Sequence, residues 1–156
     1  MLKILGFHIR GINAQKEQQP IQNASISTNI TFNDIQSELT KSIKNHSIIA
    51  ISFTFRVEYN SSDKQKKKSG EPLAFVELSG VVPCATTEDE AKKLINDWKD
   101  KKISQEIRIP LYNFILAKCS IKALQIQEEI NLPPHFPLPS IKEEILKKEE
   151  TQKKKS

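Results

Sequence analysis

Residues 48–59, "IIAISFTFRVEY", constrain the fold more than any other stretch, because apolar and polar residues alternate there with a period of two. One face of this segment carries six large apolar residues, Ile49, Ile51, Phe53, Phe55, Val57 and Tyr59. The other face carries Ser52, Thr54, Arg56 and Glu58. Since successive side chains of a β-strand point to opposite faces, the pattern predicts a strand with one buried face.

Three further segments show a similar alternation. The first contains Leu5, Phe7 and Ile9, and Ile12 could extend it. The second covers residues 24–32, with apolar side chains mainly at even positions and Ser, Asn or Thr at odd positions. The third is "LAFVELSGVV", residues 73–82. A polar, lysine-rich connection, "NSSDKQKKKSGEP", separates it from residues 48–59 and predicts a long antiparallel hairpin.

Residues 33–46, "NDIQSELTKSIKNH", allow two structures. Ile35, Leu39 and Ile43 are four residues apart, and Asn33 with Gln36 could cap a helix. Equally, the strand that precedes this segment could continue through it. The sequence alone leaves both alternatives open.

After Pro83 the pattern becomes helical. Thr87 and Glu90 form a capping box before a stripe of Ala91, Leu94, Ile95 and Trp98. Pro110 suits the first turn of a second helix, Leu111–Ala123, which is apolar on several sides. We therefore expect this second helix to be largely buried or to lie at a subunit interface.

The stretch "NLPPHFPLPSI", residues 131–141, holds four of the chain's eight prolines and can form neither a helix nor a central strand. We call residues 131–139 the proline strip. We expect it to be an extended clamp with three buried apolar side chains, Leu132, Phe136 and Leu138. The alternative is an exposed ligand motif at Pro134-x-x-Pro137. Ser140 and Glu143 then predict a short third helix before a frayed charged tail.

Strands followed by helices predict an α+β fold: a four-stranded antiparallel sheet with two to three C-terminal helices packed on one side. The length of 156 residues suits one domain, which we place at residues 1–140. Residues 141–156 would form the short helix and the frayed tail.

The residues that usually carry chemistry are scattered. His8, His46 and His135 have no metal-ligand spacing with each other or with the two cysteines, and no glycine-rich phosphate loop occurs. Cys84 and Cys119 are predicted to be free, buried thiols of a cytoplasmic protein. We therefore expect no metal, no cofactor and no enzymatic activity.

The net charge of +5 comes from lysines in residues 61–70 and 142–156, a predicted loop tip and tail. No basic face with interleaved aromatic residues is evident, so nucleic-acid binding is the lowest-ranked partner class. No run of 18 apolar residues occurs, and no membrane span is expected.

The order of these segments resembles the SecB family of export chaperones. The resemblance lies in "AFVELSGVV", then "IRIPLYNFILAKCSIKAL", then "LPPHFPLP", and covers roughly residues 1–140. Phe75, Glu77 and Gly80 match the family's fourth strand. Residues 108–112 match the turn before its long helix, and residues 132–136 match the strip that follows that helix.

The resemblance implies an ATP-independent holdase that assembles as a dimer or a dimer of dimers and holds unfolded or precursor polypeptides in apolar grooves. By position, the strand crossover is Phe32–Ile43. The client-binding groove is then lined by Phe32, Ile35, Leu39, Ile43, Leu111, Phe114, Ile115 and Phe136. The oligomer interface is assigned to Ser52, Thr54, Leu116 and Ile121.

The strands carry few of the acidic residues that dock the SecA motor in that family, and the sequence pI is near 9.1. These differences from the family favour a role outside the standard export pathway, such as antitoxin protection. Two alternatives are an oligomerising interaction module without client binding and, less favoured, a basic nucleic-acid-binding protein.

Overall fold

The structure is a computed structural model that describes residues 2–18, 21, 23–43, 46–62, 70–139 and 151–154. For residues 39–43 it describes the backbone only. The strands and helices, in chain order, are β1 (Lys3–Ile4), β2 (His8–Lys16), β3 (Ala24–Ile43), β4 (His46–Ser61), β5 (Ala74–Thr87), α1 (Glu88–Lys99) and α2 (Gln105–Glu129).

All strand pairs are antiparallel, and the sheet order is β1-β5-β4-β3, with β2 also paired to β5. The expected α+β class with helices on one face is confirmed. The sheet has five strands rather than four because the first predicted strand is divided around residues 5–7. Leu5 lies in that break and is about half exposed, so the predicted strand does not run continuously through Leu5, Phe7 and Ile9.

The alternation in residues 48–59 determines where the core lies. All six apolar side chains predicted on one face of β4 are fully buried. They pack with the inward faces of α1 and α2, represented by Leu94 and Ile115. The opposite face of β4, with Ser52 and Thr54, is only partly buried. One face of the sheet is therefore covered by helices and the other is open.

Residues 33–43 continue β3, and the helical alternative is wrong for them. The strand pairs with β4 from Ala24↔Ser61 to Glu38↔Ile48 and again at Ile43↔His46, with register shifts between Phe32 and Asp34 and between Glu38 and Ile43. A spacing of four residues puts side chains on one face in a helix and also in a strand, so the sequence pattern could not separate the two. The available partner strand decides the matter, because β4 satisfies the backbone hydrogen bonds of β3.

The strand crossover does not lie at Phe32–Ile43, as the resemblance implied. β2 pairs with β5 at one side of the sheet, whereas β3 lies at the opposite edge. The chain must pass between these edges after Lys16 and before Ala24. Phe32–Ile43 instead belongs to an edge strand.

Gly80 is required where the backbone of β2 lies close to β5. A Cβ atom at Gly80 would lie 2.1 Å from the His8 carbonyl oxygen and 3.0 Å from Cζ of Phe53. Both distances are shorter than ordinary contacts, so only glycine allows this approach. The sequence comparison with "AFVELSGVV" singled out this glycine, and the packing now explains it.

The helix α1 begins as predicted. Thr87 is its N-cap, and its hydroxyl accepts a hydrogen bond from the Glu90 N–H at 3.3 Å. Ala91 and Leu94 are buried, and Ile95 and Trp98 are partly buried against the same core. The predicted stripe is therefore the face that packs on the sheet.

The helix α2 is longer than predicted, because it begins at Gln105 and ends at Glu129 instead of covering only Leu111–Ala123. Pro110 lies within the helix and not in its first turn. A proline there removes one i→i−4 hydrogen bond, and the apolar burial of Leu111, Ile115 and Cys119 offsets that cost.

The proline strip is anchored at its start and exposed at its end. Leu132 is buried, as expected. Phe136 is 37% exposed and Leu138 is 50% exposed, so the predicted burial of these two is wrong. The predicted helix from Ser140 lies outside the described residues, although residues 151–154 are helical. The division at residue 140 stays a prediction.

Candidate functional site

The residues assigned to the client groove fall into three groups in the structure. Phe32, Ile35, Leu111 and Ile115 are core residues with 7% exposure or less. Phe114 is partly buried, and Phe136 is exposed. The side chains of Leu39 and Ile43 lie outside the described part of the chain. The buried residues thus support an apolar surface from below, and the accessible part lies on α2 and the proline strip.

Aromatic rings connect that surface to the sheet. Phe7 stacks on Phe53 with centroids 5.4 Å apart and meets Phe114 edge to face at 5.9 Å. Phe32 contacts Tyr112 at 4.9 Å between ring centroids. Such pairs add about 0.5–1.5 kcal/mol each beyond area burial. The rings attach α2 firmly to the sheet.

A polar cluster holds the proline strip against α2. The Gln127 amide lies 3.0–3.1 Å from Nδ1 of His135, and the Tyr59 hydroxyl donates to the Pro133 carbonyl. Burial raises the pKa of Tyr59 to about 12 and lowers the pKa of His135. Burial thus favours the neutral form of both groups, which suits their place beside the core.

The outer surface of α2 carries large apolar side chains among polar ones such as Asn113 and Lys118. Ile109 and Leu116 are exposed, and Ile121 is 65% exposed. Large apolar side chains that a helix leaves exposed are suited to contact with a partner. Leu116 and Ile121, which the sequence assigned to an oligomer interface, therefore lie on an available apolar surface.

The open face of the sheet has a different character. The Asn33 amide donates to Thr54 Oγ1 at 2.7 Å. Arg56 donates to Glu58 and Glu77 at 2.6 and 2.8 Å. Burial lowers the pKa of the Arg56 guanidinium, but hydrogen bonds to both carboxylates outweigh it and the pKa is raised. These partly exposed pairs satisfy one another and present a nearly neutral polar surface.

A cavity of about 500 Å³ lies where β1 meets both helices. Leu2 and Ile4 of the N-terminal segment line it together with Leu94, Ile107 and Leu111. Sequence analysis missed this cavity, because its walls come from three segments whose only common signal is ordinary amphipathicity.

The described residues hold no group of three or more potential metal ligands. Cys84 and Cys119 are buried, and burial raises the pKa of each thiol to about 12. Thiols with so high a pKa are poor nucleophiles. No helix in the described part of the chain is long and apolar enough to cross a membrane.

Comparison with known proteins finds a structural similarity but no sequence match. No protein-family model matches the chain, and no curated protein matches its sequence. Among solved structures, it is similar to a SecB-like chaperone of Mycobacterium tuberculosis in complex with a peptide from an antitoxin. The identity is 13%, the match covers 90% of this chain and 91% of that one, and the TM-score is 0.48.

Proposed function

We propose that this protein is an ATP-independent chaperone that holds unfolded polypeptides on the apolar surface formed by α2 and the proline strip. The observation that carries the proposal is the set of large apolar side chains left accessible there, Ile109, Leu116, Ile121, Phe136 and Leu138. Three of them lie on α2 and two lie on the proline strip. The order of sequence motifs, which resembles the SecB family, supports the same reading.

A holdase needs area more than a precise polar site, because it must accept many sequences. Burial of apolar surface contributes about 25 cal/mol per Å² and distinguishes little between apolar side chains. The surface of α2 supplies that area, and the buried Leu111 and Ile115 hold the helix in place beneath it. The two buried cysteines offer no reactive nucleophile.

The test is suppression of the aggregation of a chemically unfolded client at a stoichiometric ratio. We expect Leu116→Asp and Phe136→Asp each to raise the chaperone concentration required for half-maximal suppression at least tenfold. The control is Leu5→Asp, since Leu5 is somewhat more exposed than Leu116 and Phe136 but lies between β1 and β2. Unchanged suppression by both surface variants would show that the proposed surface is wrong.

The apolar face of α2 also supports a second candidate, an oligomerising interaction module without client binding. Leu116 and Ile121 would then pair with a second copy of the chain. Sedimentation separates the candidates: an assembly that Ile121→Asp dissociates, together with no binding of unfolded protein, favours the module.

A further inference from the structure

The outer edge of β3 carries an inference that goes beyond the apolar surface of α2. Among the described strands, β3 pairs with β4 alone and stands last in the sheet order. Whether its backbone groups are available depends on which residues direct their N–H and C=O groups away from β4.

Two hydrogen bonds determine that direction. The Tyr59 carbonyl accepts from Leu73 N–H at 2.8 Å on the β5 side of β4. The Pro83 carbonyl accepts from Leu5 N–H at 2.8 Å, so Pro83 directs its carbonyl toward β1 and away from β4. In an antiparallel ladder these directions alternate along each strand. The odd-numbered residues of β4 therefore bond to β5, and the even-numbered ones bond to β3.

The register then identifies the free groups of β3. Before its bulge, odd-numbered residues of β3 lie opposite even-numbered residues of β4, for example Ser27 opposite Glu58. These odd residues bond to β4. The residues between them turn their N–H and C=O groups outward, namely Ile26, Thr28, Ile30 and Phe32.

The same residues direct their side chains to the helix-covered side, because they lie opposite the buried residues of β4. Ile26 is 38% exposed there, and Ile30 is partly buried. On the open side, Ser25, Ser27, Asn29 and Thr31 are exposed. The edge therefore has an apolar side and a polar side.

Residues 24–32 carry none of the usual devices against edge pairing, and the first bulge of β3 lies beyond them, between Phe32 and Asp34. The segment "ASISTNITFN" contains no charge and no proline, which are common devices against edge pairing. At the opposite edge, β2 carries Arg10 and Lys16 and has a bulge between Ile9 and Gly11. Among the described strands, the β2 edge is thus protected and the β3 edge is open for pairing.

The geometry points to residues 24–32 as a site where an extended segment of a bound polypeptide adds to the sheet as a further strand. Nine residues span about 30 Å, which suits a segment of similar length. The segment would be uncharged and would alternate apolar and small polar side chains, to match Ile26 and Ile30 on one side and Ser27 and Asn29 on the other.

This site deepens the proposed function and rests on it, since an unfolded client carries unpaired backbone groups. Main-chain hydrogen bonds depend little on the client's sequence. The alternating apolar and polar side chains of β3 favour client segments that alternate in the same way. The apolar surface of α2 supplies area, and the edge of β3 supplies hydrogen bonds for the client backbone.

The first test uses a fluorescent, end-blocked nine-residue peptide in which leucine and serine alternate. Methylation of its backbone nitrogens at either the leucine or the serine positions gives two matched probes. Only one set of N–H groups can face β3. We expect one probe to bind at least tenfold more weakly than the parent and the other to bind within about twofold. Antiparallel addition makes the leucine-methylated probe the weak one.

The second test changes the protein. Thr28→Pro removes an outward N–H without removing a bond to β4, and we expect tenfold weaker binding of the parent peptide. Ile12→Pro is the matched control, because Ile12 lies opposite Leu78 and turns its N–H outward at the β2 edge. The Ile12→Pro variant should bind the parent peptide as tightly as the unchanged protein does. Thermal melting checks that both variants fold. If Thr28→Pro does not fold, the methylated probes still test the site on the unchanged protein.

Equal loss, or no loss, with the two methylated probes would overturn edge pairing. A dimer that Thr28→Pro converts to monomer, in a protein that binds no peptide, would show that the edge pairs with a second copy and would also overturn it. Aggregation assays distinguish the two proposals: without suppression by the unchanged protein the chaperone function fails, whereas a difference between the methylated probes still supports the edge site.

Discussion

Ile115 and Ile121 lie on the same helix, and replacing each by alanine tests which side of α2 supports the fold and which side is available for binding. Ile115 is 0% exposed and belongs to the core cluster, whereas Ile121 is 65% exposed. The two changes remove the same three carbon atoms and have the same effect on helix propensity. A difference between them therefore reports the tertiary environment alone.

For Ile115→Ala we expect the free energy of unfolding to fall by about 2–5 kcal/mol, through lost transfer energy and an unfilled cavity. For Ile121→Ala we expect a change within about 0.5 kcal/mol. A chain of this size loses about 2–4 °C in melting temperature per kcal/mol. The predicted difference in melting temperature is therefore about 4–20 °C.

Urea unfolding monitored by circular dichroism measures both variants, and client-suppression assays follow on the same samples. We expect Ile121→Ala to keep its stability but to weaken suppression or assembly. The placement of α2 would be refuted by similar stabilities for the two variants, or by a larger loss for Ile121→Ala than for Ile115→Ala.

Two further predictions concern β2 and the proline strip. Gly80→Ala should destabilise the protein by about 1–3 kcal/mol, because the new Cβ would meet the His8 carbonyl, whereas Gly6→Ala has ordinary contacts and should be nearly neutral or slightly stabilising in urea unfolding. Burial lowers the pKa of His135 below 6.5 in the folded state, so the unfolded chain binds more protons as pH falls below 6.5 and stability should decline there. His135→Asn should flatten this part of the stability–pH curve, and an unchanged curve would exclude His135 as its cause.

Much of the fold was predictable from the sequence where the signal is local. The alternation in residues 48–59 places six side chains on one face, and every one of them is buried. The Thr87 cap and the stripe that follows it define α1 correctly. In these segments the residue type and the period of the regular structure agree, so no distant contact is needed to choose between alternatives.

The candidate site was predicted less well. Sequence reasoning treated Leu111 and Ile115 as groove residues in the same way as Phe136, although the first two are buried and the third is exposed. All three are apolar residues at positions that the resemblance assigned to the groove. The sequence does not show which structural element covers each side chain. The free edge of β3 was also missed, since strand order depends on pairing between distant segments.

The sequence by itself determined which segments form strands and helices with strong periods, and which side of each segment is apolar. Tertiary structure decided the continuation of β3 through residues 33–43, the start of α2 at Gln105, and the exposure of Phe136. The physical reason is that these outcomes depend on partners distant in sequence. β4 supplies hydrogen bonds to β3, the core stabilises a helix that contains Pro110, and the path of the proline strip determines which of its apolar side chains are covered.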